Sequence, residues 1–283
     1  MQPRVILVAT DFEESRDTLL DHTEALARLY GAEVQLVHAQ PSFWKNWISS
    51  GLTDRQAADR LNRWAEALSE RGVRTSCAPV LRGQVAEAIL EHADSQEVGL
   101  ITIGASNKSG LGRMLGATAE AIARFASQPV WIRRSPTTRL KKVLCGVDGS
   151  ESSKRALAAA VWISERSGAR LTVTCALEDP TPHALGTPPS EVDAAAAAYR
   201  KRRAEELDGF VDDAGHGEGV AERRWIWGRP AEALAALVAD EGFDLLVIGR
   251  AGVGNVRRLL LGSTATRLLR EAPCSVLLTS QTD

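Results

Sequence analysis

Hydrophobic residues follow two alternating patterns along the chain. In the second half, short runs of apolar and often β-branched residues predict strands near 143–147, 170–176, 221–227, 244–249 and 275–279. Between them, apolar residues recur at helical spacing over 152–167 and 232–241, and an alanine run favours a helix over 191–210. The first half follows the same plan. This alternation predicts βαβ units and a parallel sheet with helices on both faces.

The two halves of the chain are copies of one unit. Five landmarks recur in the same order, namely Asp11 and Asp148, Gly83 and Gly228, Gly104 and Gly249, Gly116 and Gly262, and Val130 and Val276. Such a repeat indicates a duplicated structural unit. The spacing grows from 137 positions at the first pair to 145 at the second. We therefore expect extra loop residues in the second copy, in the proline-rich stretch 179–189.

The repeat predicts domains at 1–135 and 142–283, with the polar, basic segment 133–142 as a short linker. Right-handed crossovers would make each domain an open, doubly wound sheet. Ligands of such sheets bind beyond the carboxyl ends of the strands. In the second copy, this rule selects Asp148 after the first strand and the segment 248–264 after the fourth.

The segment 248–264 spaces its glycines as G-x-x-G-x9-G-[ST]. Its candidate residues are Gly249, Gly252, Gly254, Gly262, Ser263 and Thr264. Backbone N–H groups around the middle glycines would converge on phosphate oxygens, and the N-terminus of a helix predicted over 265–271 would add further donors. A glycine-rich turn with an ordinary Ser/Thr cap explains the same spacing, so both interpretations stay open.

Charged side chains flank this segment. Asp148 would bind Mg²⁺ or a ribose hydroxyl, or would only cap a turn through its own backbone. Arg250, Arg257 and Arg258 are either cationic contacts to phosphate or exposed loop arginines without a specific role.

These motifs, together with the segment APCSVLLTS at 272–280, resemble the universal stress protein family. Both copies carry the likeness, so the chain resembles the tandem type over almost its whole length. The resemblance implies an α/β fold of two tandem doubly wound, parallel five-stranded sheets, Rossmann-like and similar to adenine nucleotide alpha hydrolases. It implies ATP with Mg²⁺ as the ligand, phosphates on the glycine loop, Asp148 beside the nucleotide and its metal ion, and adenine at the backbone of Ala176.

The first copy departs from the family's pattern. Asn107 stands where the second glycine is expected, the stretch to Gly116 is one residue shorter, and Ala117 replaces the hydroxyl residue. A shortened loop without a hydroxyl binds phosphate less well. We therefore predict that the second copy binds ATP and that the first binds nucleotide weakly or not at all, as a structural or different-ligand half.

The resemblance further implies that the two domains pair through their C-terminal edge strands, 129–133 and 275–279. This intrachain pseudo-dimer would cover two exposed strand edges. A homodimer of the whole chain and an unidentified protein partner are left open. Trp225 and Trp227 are expected to fill the core. Trp44 and Trp47 lie in a predicted loop, where they would line a pocket or a partner surface.

Composition limits the classes of function. The chain is 44% apolar and 25% charged, and its formal net charge of −2 gives no reason to expect nucleic acid or an anionic membrane as partner. The four cysteines are dispersed, and no apolar run reaches the ~20 residues that span a bilayer. The N-terminal apolar run ends too early for a signal peptide. We expect a cytoplasmic protein without a membrane span.

The residues argue least for a dedicated enzyme. No Walker A motif and no Ser/His/Asp or Cys/His set is identifiable. Slow ATP hydrolysis stays open, because a bound triphosphate with Mg²⁺ needs only a positioned water. The favoured function is a nucleotide-dependent regulator or sensor in the stress response. The alternative is a nucleotide-independent scaffold or a carrier of a small apolar ligand.

Overall fold

The computed structural model describes residues 2–42, 52–105, 115–134, 138–177, 189–214, 217–252 and 261–280. The elements of the first half are β1 (Val5–Ala9), α1 (Arg16–Tyr30), β2 (Glu33–Val37), β3 (Ala39–Gln40), α2 (Asp54–Glu70), β4 (Thr75–Cys77), β5 (Leu81–Arg82), α3 (Val85–Ser95), β6 (Leu100–Gly104), α4 (Ala117–Phe125) and β7 (Val130–Arg133). The short strands β3 and β5 form a separate two-stranded sheet.

The second half repeats this order. Its elements are β8 (Lys142–Gly146), α5 (Glu151–Ser167), β9 (Arg170–Leu177), α6 (Pro189–Asp213), a 3-10 turn (Gly217–Gly219), β10 (Glu222–Trp227), α7 (Pro230–Glu241), β11 (Leu245–Ile248), α8 (Ser263–Glu271) and β12 (Ser275–Leu278). The five strands and four helices predicted for this half are confirmed, with bounds that differ by a few residues at most.

All ten main strands belong to one sheet, in the order β10-β9-β8-β11-β12-β7-β6-β1-β2-β4. Within each half, neighbouring strands are parallel, and the first strand pairs with both the second and the fourth of its half. This is the predicted doubly wound order. The halves meet where β12 pairs antiparallel with β7, with Leu277 opposite Trp131. The predicted pairing of the two C-terminal edge strands is therefore confirmed.

Two apolar layers cover the faces of this sheet. One layer contains α1 and α2 of the first half and α5 and α6 of the second, and the other contains α3, α4, α7 and α8. Each layer includes buried residues from both halves. The two layers cover the faces of the sheet and not the carboxyl ends of its strands. Loops and helix N-termini lie at those ends.

Two expectations about individual residues were wrong. Trp227 does not fill the core: it is 40% exposed, and the guanidinium of Arg200 lies 4.9 Å from its ring centre. The linker begins after Arg133 and not at it, because Arg133 is buried and ends β7, as the predicted edge strand 129–133 required. Trp44 and Trp47 lie outside the described residues.

Candidate functional site

The turn between β8 and α5 presents Asp148 at the carboxyl edge of the sheet. Oδ1 of Asp148 accepts hydrogen bonds from the backbone N–H of Ser150 at 3.0 Å and from its hydroxyl at 2.6 Å. Ser150 also caps α5 by accepting from the N–H of Ser153. Gly149 between them has a φ of 85°, and a β-carbon there would meet no atom within 4 Å. Asp148 is exposed beside open space.

The loop after β11 closes over this turn. A β-carbon on Gly249 would lie 2.5 Å from the hydroxyl oxygen of Ser152, and one on Gly252 would overlap with Oδ2 of Asp148. The N–H of Ala251 donates to the Ser152 hydroxyl at 3.4 Å. Glycine at these two positions therefore has a packing role that spacing alone did not reveal: it lets two loops that are about 100 residues apart in sequence touch.

Gly262 brings the end of the glycine loop back to its start. Its N–H donates to the carbonyl of Arg250 at 2.7 Å, and a β-carbon there would lie 3.2 Å from the same oxygen. Gly262 is also the N-cap of α8, where no described side chain caps the helix. Ser263 and Thr264 form the first turn, Ser263 exposed and Thr264 half-buried. The N-terminus of α8 therefore lies beside Gly252.

The other predicted contact, Ala176, lies near the end of β9, opposite Ile226 of β10, and is half-buried. Its neighbour Cys175 is buried, and burial raises the pKa of its thiol. The guanidinium of Arg203 in α6 lowers this pKa and the carboxylate of Asp148 raises it, both less strongly than burial does. Sequence reasoning missed Arg203 because nothing in its helix marks a site. Gly254 lies outside the described residues.

Arg250 is neither a phosphate contact nor an exposed loop arginine, so both interpretations of it were wrong. Its side chain is buried and donates to the carbonyls of Thr279 at 3.0 Å and Gln128 at 2.8 Å, and to that of Ala123. Burial lowers the pKa of Arg250 to about 10, which leaves it a cation at neutral pH. It therefore anchors the glycine loop to the first domain. Arg257 and Arg258 lie outside the described residues.

The equivalent edge of the first domain is filled by an aromatic cluster. Phe12, which follows Asp11 as Gly149 follows Asp148, has a φ of 64° and is buried. Its ring centre lies 4.5 Å from that of His38 and 5.2 Å from that of Trp64. The replacement of Gly149 by Phe12 in the repeat was the available sequence signal for this difference. Ala117 begins α4, and Asn107 lies outside the described residues.

The described residues contain no cluster of three His, Cys, Asp or Glu that would hold a metal ion by itself. Asp148 thus offers a single carboxylate, which fits a metal ion that is also held by a ligand's phosphates. In the same part of the chain, no helix is both long enough and apolar enough to cross a bilayer.

The fold and the loop at its edge define a tandem, Rossmann-like α/β protein. The family model for the universal stress protein family matches the chain twice, over residues 3–134 and 139–280. The chain therefore belongs to the universal stress protein family, with two repeated domains.

Similar proteins agree with this assignment. A universal stress protein of Thermus aquaticus, encoded in the QAH/OAS sulfhydrylase 3' region, is 39% identical over 140 residues, which cover 49% of this chain and 97% of the relative. A universal stress protein of Archaeoglobus fulgidus superposes with a TM-score of 0.72 at 19% identity, covering all of both chains. A protein of unknown function from Pseudomonas aeruginosa PAO1 superposes with a TM-score of 0.76 at 18% identity, covering 98% of this chain and 92% of that one. The two structures support the fold.

Proposed function

We propose that this protein binds ATP with Mg²⁺ in its second domain and acts as a nucleotide-dependent regulator in the stress response. One observation carries the proposal: Asp148 and Gly252 approach so closely that a β-carbon on residue 252 would overlap with the Asp148 carboxylate, next to a helix N-terminus that no described side chain caps. A carboxylate for a ribose hydroxyl or metal ion thus adjoins a site for phosphate.

The electrostatics favour an anion at the N-terminus of α8. The free backbone N–H groups of its first turn, which begins with Ser263 and Thr264, and the positive end of its dipole lie at this terminus. The first turn contains no acidic residue. The Ser263 hydroxyl adds a donor. Arg203, which pairs with Glu206, lies near Cys175 on the adenine side of the predicted site.

The first domain is proposed to bind no ATP. In the second domain, the space beside Gly149 is open, whereas in the first domain the ring of Phe12 fills the matching position. Behind it, Arg133 binds Glu14 at 2.8 Å, close to the β-carbon position of Gly104. A nucleotide would have to displace both groups.

A regulatory role requires that the occupied loop alter a surface. Arg250 fixes the start of the glycine loop to the carbonyls of Ala123 and Gln128 in the first domain. Nucleotide contacts at Gly252 and Gly262 would alter the surface around these two glycines, which a protein partner can recognise. Asp148 would hold the metal ion that accompanies the triphosphate.

Calorimetric titration of Mg-ATP tests the site. The wild type should bind one ATP per chain, and Gly252→Ala should bind at least about tenfold more weakly, because the new methyl group displaces the Asp148 carboxylate. The matched control is Gly209→Ala, at a helical glycine with no atom within 4 Å of its β-carbon position. It should bind like wild type.

Equal affinity in wild type and Gly252→Ala, or no binding in either, would overturn the proposed site. Two ATP molecules bound per chain with similar affinity would overturn the assignment to the second domain alone. Circular dichroism on each variant confirms that it is folded, which is expected because only the tip of Asp148 must move.

A further inference from the structure

A cavity lies where the two domains meet, on the face of the sheet covered by α1 and α5. Its volume is about 350 Å³. The floor is formed by Trp131 and Arg133 of β7 and Ser275 of β12, and one wall by α1 with Leu26 and Leu29. This volume falls within the range of pockets that hold small organic molecules. The cavity shares no lining residue with the candidate nucleotide site.

The cavity exists because the repeat is imperfect at one position. Ala25 of α1 lines it and occupies the repeat position of Trp162 in α5. In the second domain, the Trp162 ring stacks on Tyr30 with ring centres 4.9 Å apart and fills its side of the domain junction. Alanine at residue 25 leaves the matching volume empty of protein atoms.

The lining carries positive charge. Four arginines contribute, namely Arg28, Arg133, Arg139 and Arg166, and the described lining includes no aspartate or glutamate. Arg28 pairs with Glu24 and Arg133 with Glu14, both outside the lining. Arg139 and Arg166 have no carboxylate partner among the described residues. A cleft lined by one sign of charge attracts a ligand of the opposite sign.

Arg133 places one of these charges inside the cavity rather than at its rim. Its side chain is 3% exposed, and its Nη atoms bind Glu14 and the hydroxyl of Thr102. Its Nε–H finds no acceptor among the described residues. A buried donor without an acceptor is costly, so a ligand oxygen at this point would be stabilising.

We propose that this junction cavity binds a small amphipathic carboxylate, with its anionic head toward Arg133 and the rim arginines and its apolar body against Leu26, Leu29 and Trp131. The apolar lining provides the affinity for the body of the ligand, and the arginines select its charge. Because both domains line the cavity, such a ligand would bind only the assembled pair.

Calorimetric titration with octanoate tests the proposal. The wild type should bind one octanoate per chain, n-octanol should bind at least about tenfold more weakly, and octylamine should not compete with octanoate. Ala25→Trp, which fills the cavity with the ring found at the repeat position, should lower octanoate affinity at least about tenfold. Ala239→Trp, at an exposed alanine of α7, is the matched control and should bind like wild type.

Two further variants keep the outcome decisive. Arg139→Gln changes only an exposed rim side chain and should weaken octanoate binding about threefold or more even if Ala25→Trp does not fold. Gly252→Ala should bind octanoate like wild type, which separates this cavity from the nucleotide site. No octanoate binding by wild type at millimolar concentration, equal binding of octanoate and octylamine, or unchanged affinity in Ala25→Trp or Arg139→Gln would each overturn the proposal.

Discussion

A single residue position accounts for much of the difference between the two domains. Gly149 and Phe12 both have positive φ, at 85° and 64°. This conformation costs glycine little, whereas for phenylalanine it costs on the order of 1–2 kcal/mol. The first domain offsets this cost by burying the Phe12 ring between His38 and Trp64, with the guanidinium of Arg60 4.6 Å from the ring centre. An aromatic core has thus replaced an open site.

His38 in that cluster predicts a pH dependence of stability. Burial lowers the pKa of His38 below 6.5, more strongly than its hydrogen bond to the Thr10 carbonyl and the nearby Asp11 raise it. The unfolded chain therefore takes up a proton at His38 before the native protein does. The free energy of unfolding should fall as the pH drops from about 7.5 to about 5.5.

Urea unfolding at both pH values measures this effect. In His38→Asn, which keeps a donor for the Thr10 carbonyl, the loss of stability on acidification should be smaller. Some loss should persist, because burial also lowers the pKa of His92. A variant with the same pH dependence as wild type would contradict the assignment to His38.

At the scale of elements, the two domains cap each other's helices. Arg250 of the second domain donates to the Ala123 carbonyl in the last turn of α4. Arg134 of the first domain donates to the Leu269 carbonyl in the last turn of α8. Ala123 and Leu269 occupy equivalent positions in the two copies of the repeat, whereas Arg250 and Arg134 do not. Arginines from different places in the repeat therefore donate to equivalent unpaired carbonyls of the two helices. A cation there also complements the negative end of each helix.

These contacts predict how two arginine variants differ. Arg250→Met removes a buried cation bound to three carbonyls and should lower the free energy of unfolding by about 2–4 kcal/mol. Arg270→Met is the matched control: Arg270 also crosses the junction, to Glu120 at 2.7 Å, but its side chain is 56% exposed. The free energy of unfolding of Arg270→Met should fall by less than about 1 kcal/mol. Equal losses in urea unfolding would show that the buried carbonyl contacts of Arg250 contribute no more than an exposed ion pair.

At the scale of the whole molecule, the domains share one sheet and both apolar layers. The β7–β12 pairing makes the ten strands continuous, and each layer buries residues from both halves. Edge strands that would otherwise expose unpaired backbone groups lie at the centre of the sheet. Neither domain can therefore unfold without exposing apolar surface of the other.

Calorimetry should accordingly record one cooperative unfolding transition, in which the calorimetric and van't Hoff enthalpies agree. Saturation with Mg-ATP should raise the midpoint of this single transition, because stabilising the second domain stabilises the first through their shared core. Two resolved transitions, with only one of them shifted by ATP, would contradict this coupling.

Much of this architecture was predictable from local patterns. The β7–β12 pairing was implied by the family resemblance, whereas runs of apolar residues gave the strands of the second domain, helical spacing gave α5 and α7, and the βαβ alternation with right-handed crossovers gave the doubly wound order. These features depend on periodicity and on residues near one another in sequence. The glycine spacing likewise predicted where the candidate site would lie, although it did not separate the packing role of Gly249 from a role in binding phosphate.

The sequence by itself determined the two-domain α/β plan and the residues at its carboxyl edge. Only the tertiary structure decided that Arg250 binds the first domain, that Phe12 closes one edge while Gly149 leaves the other open, and that Ala25 leaves a cavity at the junction. The physical reason is range: Arg250 and Ala123 are 127 residues apart, and Arg133 and Glu14 are 119 apart. Contacts over such distances follow from how the sheet brings elements together, and no local spacing of residues specifies them.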